Sequence, residues 1–318
     1  MKYRKLGRTG LDVSEIGLGT WSFASRAYGD VDRTDAETVV GAALDGGVTL
    51  FDTAPLYGSS DENGISEQIL GQALGARRED VLISTKFGRG SAQKGTSFDA
   101  AGVRSSVEAS LGRLSTDRID VLFFHSPFGA DEIANDVWGA LDALKASGKI
   151  RFVGHSISKF SDTESMARAW FDERKIDFVQ VVYSLMNRES SDLISSLGAS
   201  DGGVVARESL ANGFLSGAIT RETVFPQNNL NKRYGPEELA ERVDYVARLK
   251  CLVRDEITTM PQAAFRWVLD NPNVSLVLSG ARSVAELEDV LSVPHSPSYT
   301  DDEMAQAEGN HTKDFPAA

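Results

Sequence analysis

The sequence predicts an α/β fold, a single (β/α)8 TIM barrel, on three observations. Eight short apolar runs rich in Val, Ile and Phe recur along the chain, helical periodicity fills the gaps between them, and no break in composition divides the 318 residues. Alternating strand and helix signals mark βα units on a parallel sheet. Eight such units in one unbroken chain fit a closed barrel of one domain, residues 1–318, better than a doubly wound sheet with a second domain. At 41% hydrophobic and 25% charged residues, the chain has the apolar content for a real core.

The elements follow in order. The segment 3–13 alternates around a Gly-containing turn and reads as a β-hairpin ahead of the first barrel strand, placed to plug the barrel bottom. The strand runs are 16–20, 48–52, 81–86, 119–125, 150–156, 178–183, 203–208 and 274–280. Thr34 with Glu37 and Ser161 with Glu164 fit capping boxes, and Gly46-Gly47 and Gly148 fit helix C-termini. Strand starts recur roughly every thirty residues, as βα units require. The exception is the gap of 71 residues between the starts of the last two runs. This long insertion between strands seven and eight holds a polar stretch, 221–234, and amphipathic helices near 236–252 and 260–270. Long loops in compact domains are usually functional.

Charge and special residues exclude several classes. With 33 Lys and Arg against 46 Asp and Glu, the net charge is −13, and no basic cluster forms. Nucleic acid is therefore not an expected partner. No run approaches the roughly 18 apolar residues of a membrane span, and the basic start lacks an apolar stretch behind it, so a cytoplasmic protein without a membrane segment is expected. Cys251 is the one cysteine, which excludes an internal disulfide. The four histidines show no metal-ligand spacing, and no metal is expected.

In a barrel, side chains at the C-terminal strand ends face a common mouth. The runs place Asp52, Lys86, His125, Ser156 and Gln180 there. Asp52 follows Leu50-Phe51 and His125 follows Phe123-Phe124, so these groups border a low-dielectric core and must be paired or shifted in pKa. One polar strand end is ordinary. A carboxylate, an ammonium and an imidazole aimed at one point predict chemistry. Tyr57 lies five residues beyond Asp52 on a loop that Pro55 stiffens. Beside Lys86 a phenol of ordinary pKa about 10 is easier to ionise, which suits a general acid. A strand-end lysine in apolar surroundings also fits Schiff-base aldolase chemistry. Asp52 argues against that reading, because an ion pair keeps the lysine protonated.

These residues stand in an ordered set of motifs: Leu6-Gly7-Arg8-Thr9-Gly10, Phe51-Asp52-Thr53-Ala54 with Tyr57-Gly58, Ser84-Thr85-Lys86, Asp120 with His125 and Pro127, Gly148-Lys149-Ile150-Arg151, and Ser279-Gly280-Ala281-Arg282. The chain thereby resembles the aldo-keto reductase superfamily along its whole length. The resemblance implies reduction of an aldehyde or ketone by hydride from a nicotinamide cofactor, and the mix of aromatic and polar residues in the substrate-facing segments suits a sugar-like or otherwise hydroxylated carbonyl as well as a simple aldehyde. Tyr57 would protonate the carbonyl oxygen, Lys86 paired with Asp52 would tune it, and His125 would orient the carbonyl. Ser156 and Gln180 would meet the carboxamide, with Arg207 near the nicotinamide face. Ser209, Leu210, Asn212 and Gly213 would surround the pyrophosphate, where backbone N–H groups can cradle phosphate. Gly280 and Arg282 would lie at the adenosine end, Arg282 pairing with the 2′-phosphate of NADPH.

Three positions depart from the family pattern: Ile157, Glu286 and Val290. A carboxylate at Glu286 repels a 2′-phosphate and can accept from a ribose 2′-hydroxyl. NADPH is the expected cofactor, with NADH the alternative. The expected substrate walls are Trp21, Phe87 and Phe128, within the segments 21–23, 87–98, 126–128 and 221–235. A non-catalytic nicotinamide-binding regulatory subunit is the other reading that the resemblance leaves, and the complete tetrad favours catalysis.

Overall fold

The computed structural model describes residues 1–23, 32–59, 62–89, 96–157, 159–227 and 229–316. Tyr3–Lys5 (β1) and Asp12–Ser14 (β2) pair antiparallel as the N-terminal hairpin. The strands Ile16–Gly19 (β3), Leu50–Asp52 (β4), Leu82–Phe87 (β5), Ile119–His125 (β6), Ile150–Ser156 (β7), Phe178–Val182 (β8), Gly203–Arg207 (β9) and Leu276–Ser279 (β10) are parallel and close into a barrel. The helices are Arg33–Asp45 (α1), Ile65–Leu74 (α2), Ala100–Leu114 (α3), Val137–Ala146 (α4), Phe160–Asp172 (α5), Ser191–Gly198 (α6), Pro236–Arg248 (α7), Met260–Leu269 (α8), Val284–Leu291 (α9) and Asp301–Asn310 (α10). The long insertion between β9 and β10 carries α7 and α8.

Strand alternation divides the core in two. Leu50, Val121, Phe123, Phe178, Val205, Leu276 and Leu278 point inward and fill the barrel. Phe51, Ile83, Leu122, Phe124, Val153 and Val204 point outward against the helices. Leu6 and Val13 of the hairpin join the interior cluster and are fully buried, so the hairpin closes the N-terminal end. That closure needs Gly7. A Cβ there would stand 2.2 Å from the Gly203 nitrogen, on a backbone with φ +52°.

Three strands start later than the sequence pattern suggests, β4 and β10 by two residues and β5 by one. The Val48 N–H donates to the Ala43 carbonyl and the Val274 N–H to the Asn271 carbonyl, so both residues close turns ahead of their strands. Neither expected capping box forms, because both helices start upstream of them. Asp32 caps α1 by accepting from the Thr34 N–H at 2.8 Å, and α5 starts from Lys159, which leaves Ser161 inside the first turn. Gly47 and Gly148 follow α1 and α4 with positive φ, as helix C-termini favour, whereas Gly46 keeps φ −74°. Among the described residues no helix is long and apolar enough to cross a membrane, and no group of three or more His, Cys, Asp or Glu could hold a metal ion.

Candidate active site

The inward positions at the C-terminal ends of β4 to β9 meet around a cavity of about 500 Å³. Asp52, Tyr57, His125, Ser156, Gln180 and Arg207 line it. Lys86 lies just beneath with 1% of its surface exposed. Its ammonium donates to Asp52 Oδ2 at 2.7 Å and to the Thr53 carbonyl at 2.9 Å. The other Asp52 oxygen accepts from Ser84 Oγ at 2.7 Å and from Gln180 Nε2 at 3.0 Å. Two buried charges are tolerated here because each is paired and further hydrogen-bonded. Ser84 was not assigned a role from sequence; its signal is its spacing, two residues before Lys86 on the same strand face.

Tyr57 stands on the loop between β4 and α2. Its N–H donates to the Ala54 carbonyl and its own carbonyl accepts from the Ser66 N–H, both at 3.0 Å, which ties the loop to the start of α2. The Lys86 ammonium lies 4.9 Å from the ring centroid and acts on the phenol electrostatically. The His125 ring meets it edge-on at 6.0 Å and Trp21 lies at 6.4 Å.

Burial raises the Tyr57 phenol above its ordinary pKa, and the opposing pull of Lys86 does not reverse this. That corrects the expectation that Lys86 would make Tyr57 easier to ionise, because the sequence shows the charge but not the desolvation. For Lys86, burial acts to lower the pKa, but the Asp52 carboxylate and the Tyr57 oxygen outweigh it and hold the ammonium above its ordinary value. Burial together with Lys86, Arg89 and Arg207 depresses His125 well below its ordinary pKa. Its imidazole is therefore neutral at pH 7, and Nδ1 has no partner among the described residues.

Ser156 Oγ donates to Gln180 Oε1 at 3.0 Å, so the two expected carboxamide residues form one polar pair. Arg207 reaches the Ile157 carbonyl at 2.9 Å and pairs with Glu208. Ser209, Leu210, Asn212 and Gly213 line the same cavity. The Ala211 and Gly213 N–H groups close turns onto the Glu208 and Leu210 carbonyls. Backbone strain concentrates in this segment, with φ +54° at Glu208, +47° at Ala211 and +56° at Asn212. At the far end Gly280, Arg282, Glu286 and Val290 are also lining residues. Ser283 caps α9, and Glu286 Oε2 accepts from the Arg282 N–H at 2.7 Å. The carboxylate is thus fixed beside the arginine.

The expected substrate residues separate. Trp21 lines the cavity, joined there by Leu56, which the sequence did not single out. Phe87 does not line it. It is fully buried against Phe98 and Phe124, outside the barrel wall, because β5 runs one residue past Lys86 and that step reverses the side-chain direction. Phe128 is 47% exposed outside the cavity lining, beneath Arg89 and Lys159. Of the loop 87–98, residues 90–95 fall outside the described residues, and the described part of 221–235 lines none of the cavity.

Comparison with known proteins agrees with this architecture. The model of the Aldo/keto reductase family matches residues 15–310. The chain is 30% identical over 298 residues to aldo-keto reductase YhdN of Bacillus subtilis, covering 91% of this chain and 87% of the relative. It is 32% identical over 311 residues to an NADH-specific methylglyoxal reductase of Escherichia coli, covering 91% and 92%. The solved holo form of aldo-keto reductase AKR11C1 from Bacillus halodurans superposes with a TM-score of 0.80 at 25% identity, covering 99% of this chain and 98% of the other. Family match, fold and strand-end residues converge: the chain belongs to the aldo/keto reductase family of oxidoreductases.

Proposed function

We propose that the protein reduces an aldehyde or ketone to the alcohol, with Tyr57 as the proton donor and a nicotinamide dinucleotide as the reductant. The observation that carries this reading is the Tyr57 ring at the wall of one cavity, 4.9 Å from the ammonium of a buried, ion-paired Lys86. The bound dinucleotide supplies the hydride. The donor set fits it: the Ser156–Gln180 pair offers a carboxamide both a donor and an acceptor, and the cavity continues past Ser209 to Arg282.

The roles of the chain's own groups follow from their charges. Asp52 keeps Lys86 protonated, and Lys86 stabilises the Tyr57 oxygen as its proton leaves. The raised phenol pKa keeps that proton in place until a carbonyl oxygen arrives. His125, neutral across the physiological range, donates a hydrogen bond to the carbonyl oxygen and is not its acid. Positioned acid catalysis of this kind contributes about 10² to 10⁴ in rate. A Schiff base at Lys86 is disfavoured, because its ammonium is held charged by Asp52 and donates to Thr53 as well.

NADPH is the proposed preferred form, with Arg282 reading the 2′-phosphate. Glu286, fixed beside Arg282, opposes that choice and favours NADH. Titration with NADPH and NADH, followed by tryptophan fluorescence and checked by calorimetry, tests both statements. Tighter NADPH binding supports Arg282, tighter NADH binding assigns the adenosine end to Glu286, and binding of neither removes the reductase reading.

A further inference from the structure

We propose that the carbonyl substrate is an anion, held by Arg89 and Lys159, which both contact Phe128 beside the cavity-lining Ser126. The proposal rests on the reductase reading above and adds the substrate class to it. Arg89 follows directly on β5. Its Nε donates to the His125 carbonyl at 3.1 Å and the Ser126 carbonyl at 2.9 Å. The guanidinium is thereby docked beside the residue that meets the carbonyl, and Ser126 itself lines the cavity. Ser126 is held in the left-handed region, φ +52°, which a serine adopts only when its surroundings impose it.

Both cations point at one ring. The Arg89 carbon Cζ lies 3.8 Å from the Phe128 centroid and the Lys159 ammonium 5.4 Å from it, so the two cations stand within about 9 Å of each other. Neither has a carboxylate within 4.0 Å among the described residues. Two cations near the reacting end of the site are paired, Lys86 with Asp52 and Arg207 with Glu208. The nearest acid to Arg89, Glu132, is engaged by the Phe128 N–H at 2.9 Å. In a chain of net charge −13, two cations without a carboxylate within ion-pair distance, next to a cavity-lining residue, favour an anionic partner there.

The rim also presents apolar surface. Leu56, 37% exposed and lining the cavity, and Phe128, two residues past the lining Ser126, are two of the large hydrophobic side chains left open to solvent among the described residues. Apolar contact beside a paired cation site suits a carbonyl compound whose body is apolar and whose far end bears a carboxylate or a phosphate.

Matched substrates test the proposal. Rates are measured with 4-carboxybenzaldehyde and with its methyl ester, at saturating cofactor and low ionic strength. The carboxylate is expected to show kcat/KM at least about tenfold higher, the scale of one charge-assisted contact. The ratio is expected to shrink at about 0.5 M salt, where screening is nearly complete over such distances, and to fall at least threefold through KM in Lys159→Gln. Equal rates, or preference for the ester, overturn the anion site and leave the reductase standing. If neither aldehyde is reduced, the reductase reading fails. Calorimetry with 4-(hydroxymethyl)benzoate then judges the anion site alone, and binding no tighter than its methyl ester overturns it.

Discussion

His155 lies on β7 with its side chain facing outward into the aromatic cluster of Phe124, Trp138 and Trp170, 5.1 Å from the Trp170 ring. Neither ring nitrogen has a hydrogen-bond partner among the described residues, and burial lowers its pKa from 6.5 to about 3. The folded state holds this imidazole neutral, whereas the unfolded chain binds a proton there below about pH 6.5. Its contribution to stability is complete above 6.5 and is lost as pH falls from there toward 3. At pH 5 the linkage amounts to about 2 kcal/mol, and the full shift would approach 5 kcal/mol. Other groups also titrate in this window, so the test is a difference between two proteins. His155→Leu keeps a side chain of similar size and removes the titration. Wild type should lose about 2 kcal/mol more than the variant between pH 7.5 and pH 5, read by urea denaturation, or about 3 °C more in Tm for a chain of this length. Parallel losses in the two proteins would refute the reasoning and mean that His155 finds a partner or water when protonated.

Asp52→Asn removes the counter-charge of a buried ammonium, a change that typically costs about 3 to 5 kcal/mol. Chemical denaturation should show the loss together with a fall in turnover, and unchanged stability would mean that Lys86 sheds its proton or is hydrated. Arg282→Ala should weaken NADPH while sparing NADH, and equal losses in the two Kd values would show that Arg282 does not read the 2′-phosphate. Because His125 is neutral well below its ordinary pKa, kcat/KM for reduction should show no break near pH 6.5. A protonation break there, absent in His125→Asn, would contradict the assignment of a neutral donor.

What the sequence made legible is what alternation and strand ends encode. Asp52, Lys86 and His125 close apolar runs, so their direction follows from counting in twos, and the barrel assembles them from β4, β5 and β6. Phe87 failed on the same rule by one residue. The direction of the Tyr57 shift was not legible, because burial arises from the closure of the whole mouth and not from any neighbour in sequence. Arg89 was equally hidden: its contacts lie 36 and 37 residues away, on carbonyls that bear no sequence signature. His155 alternates with Val153 on the outward face, and nothing local says that its neighbours there are aromatic rings without an acceptor. The displaced cap of α1 has a simpler cause, since Asp32 competes with Thr34 for the same N-terminal turn.

The most direct test of the central claim compares wild type with Tyr57→Phe in two assays on one preparation, cofactor binding by fluorescence titration and carbonyl reduction at saturating cofactor. Removing one hydroxyl keeps the ring that packs by Trp21 and His125. The account predicts an unchanged cofactor Kd with turnover lowered by about 10² or more. Turnover retained within a fewfold of wild type would take Tyr57 out of the mechanism and require another proton donor.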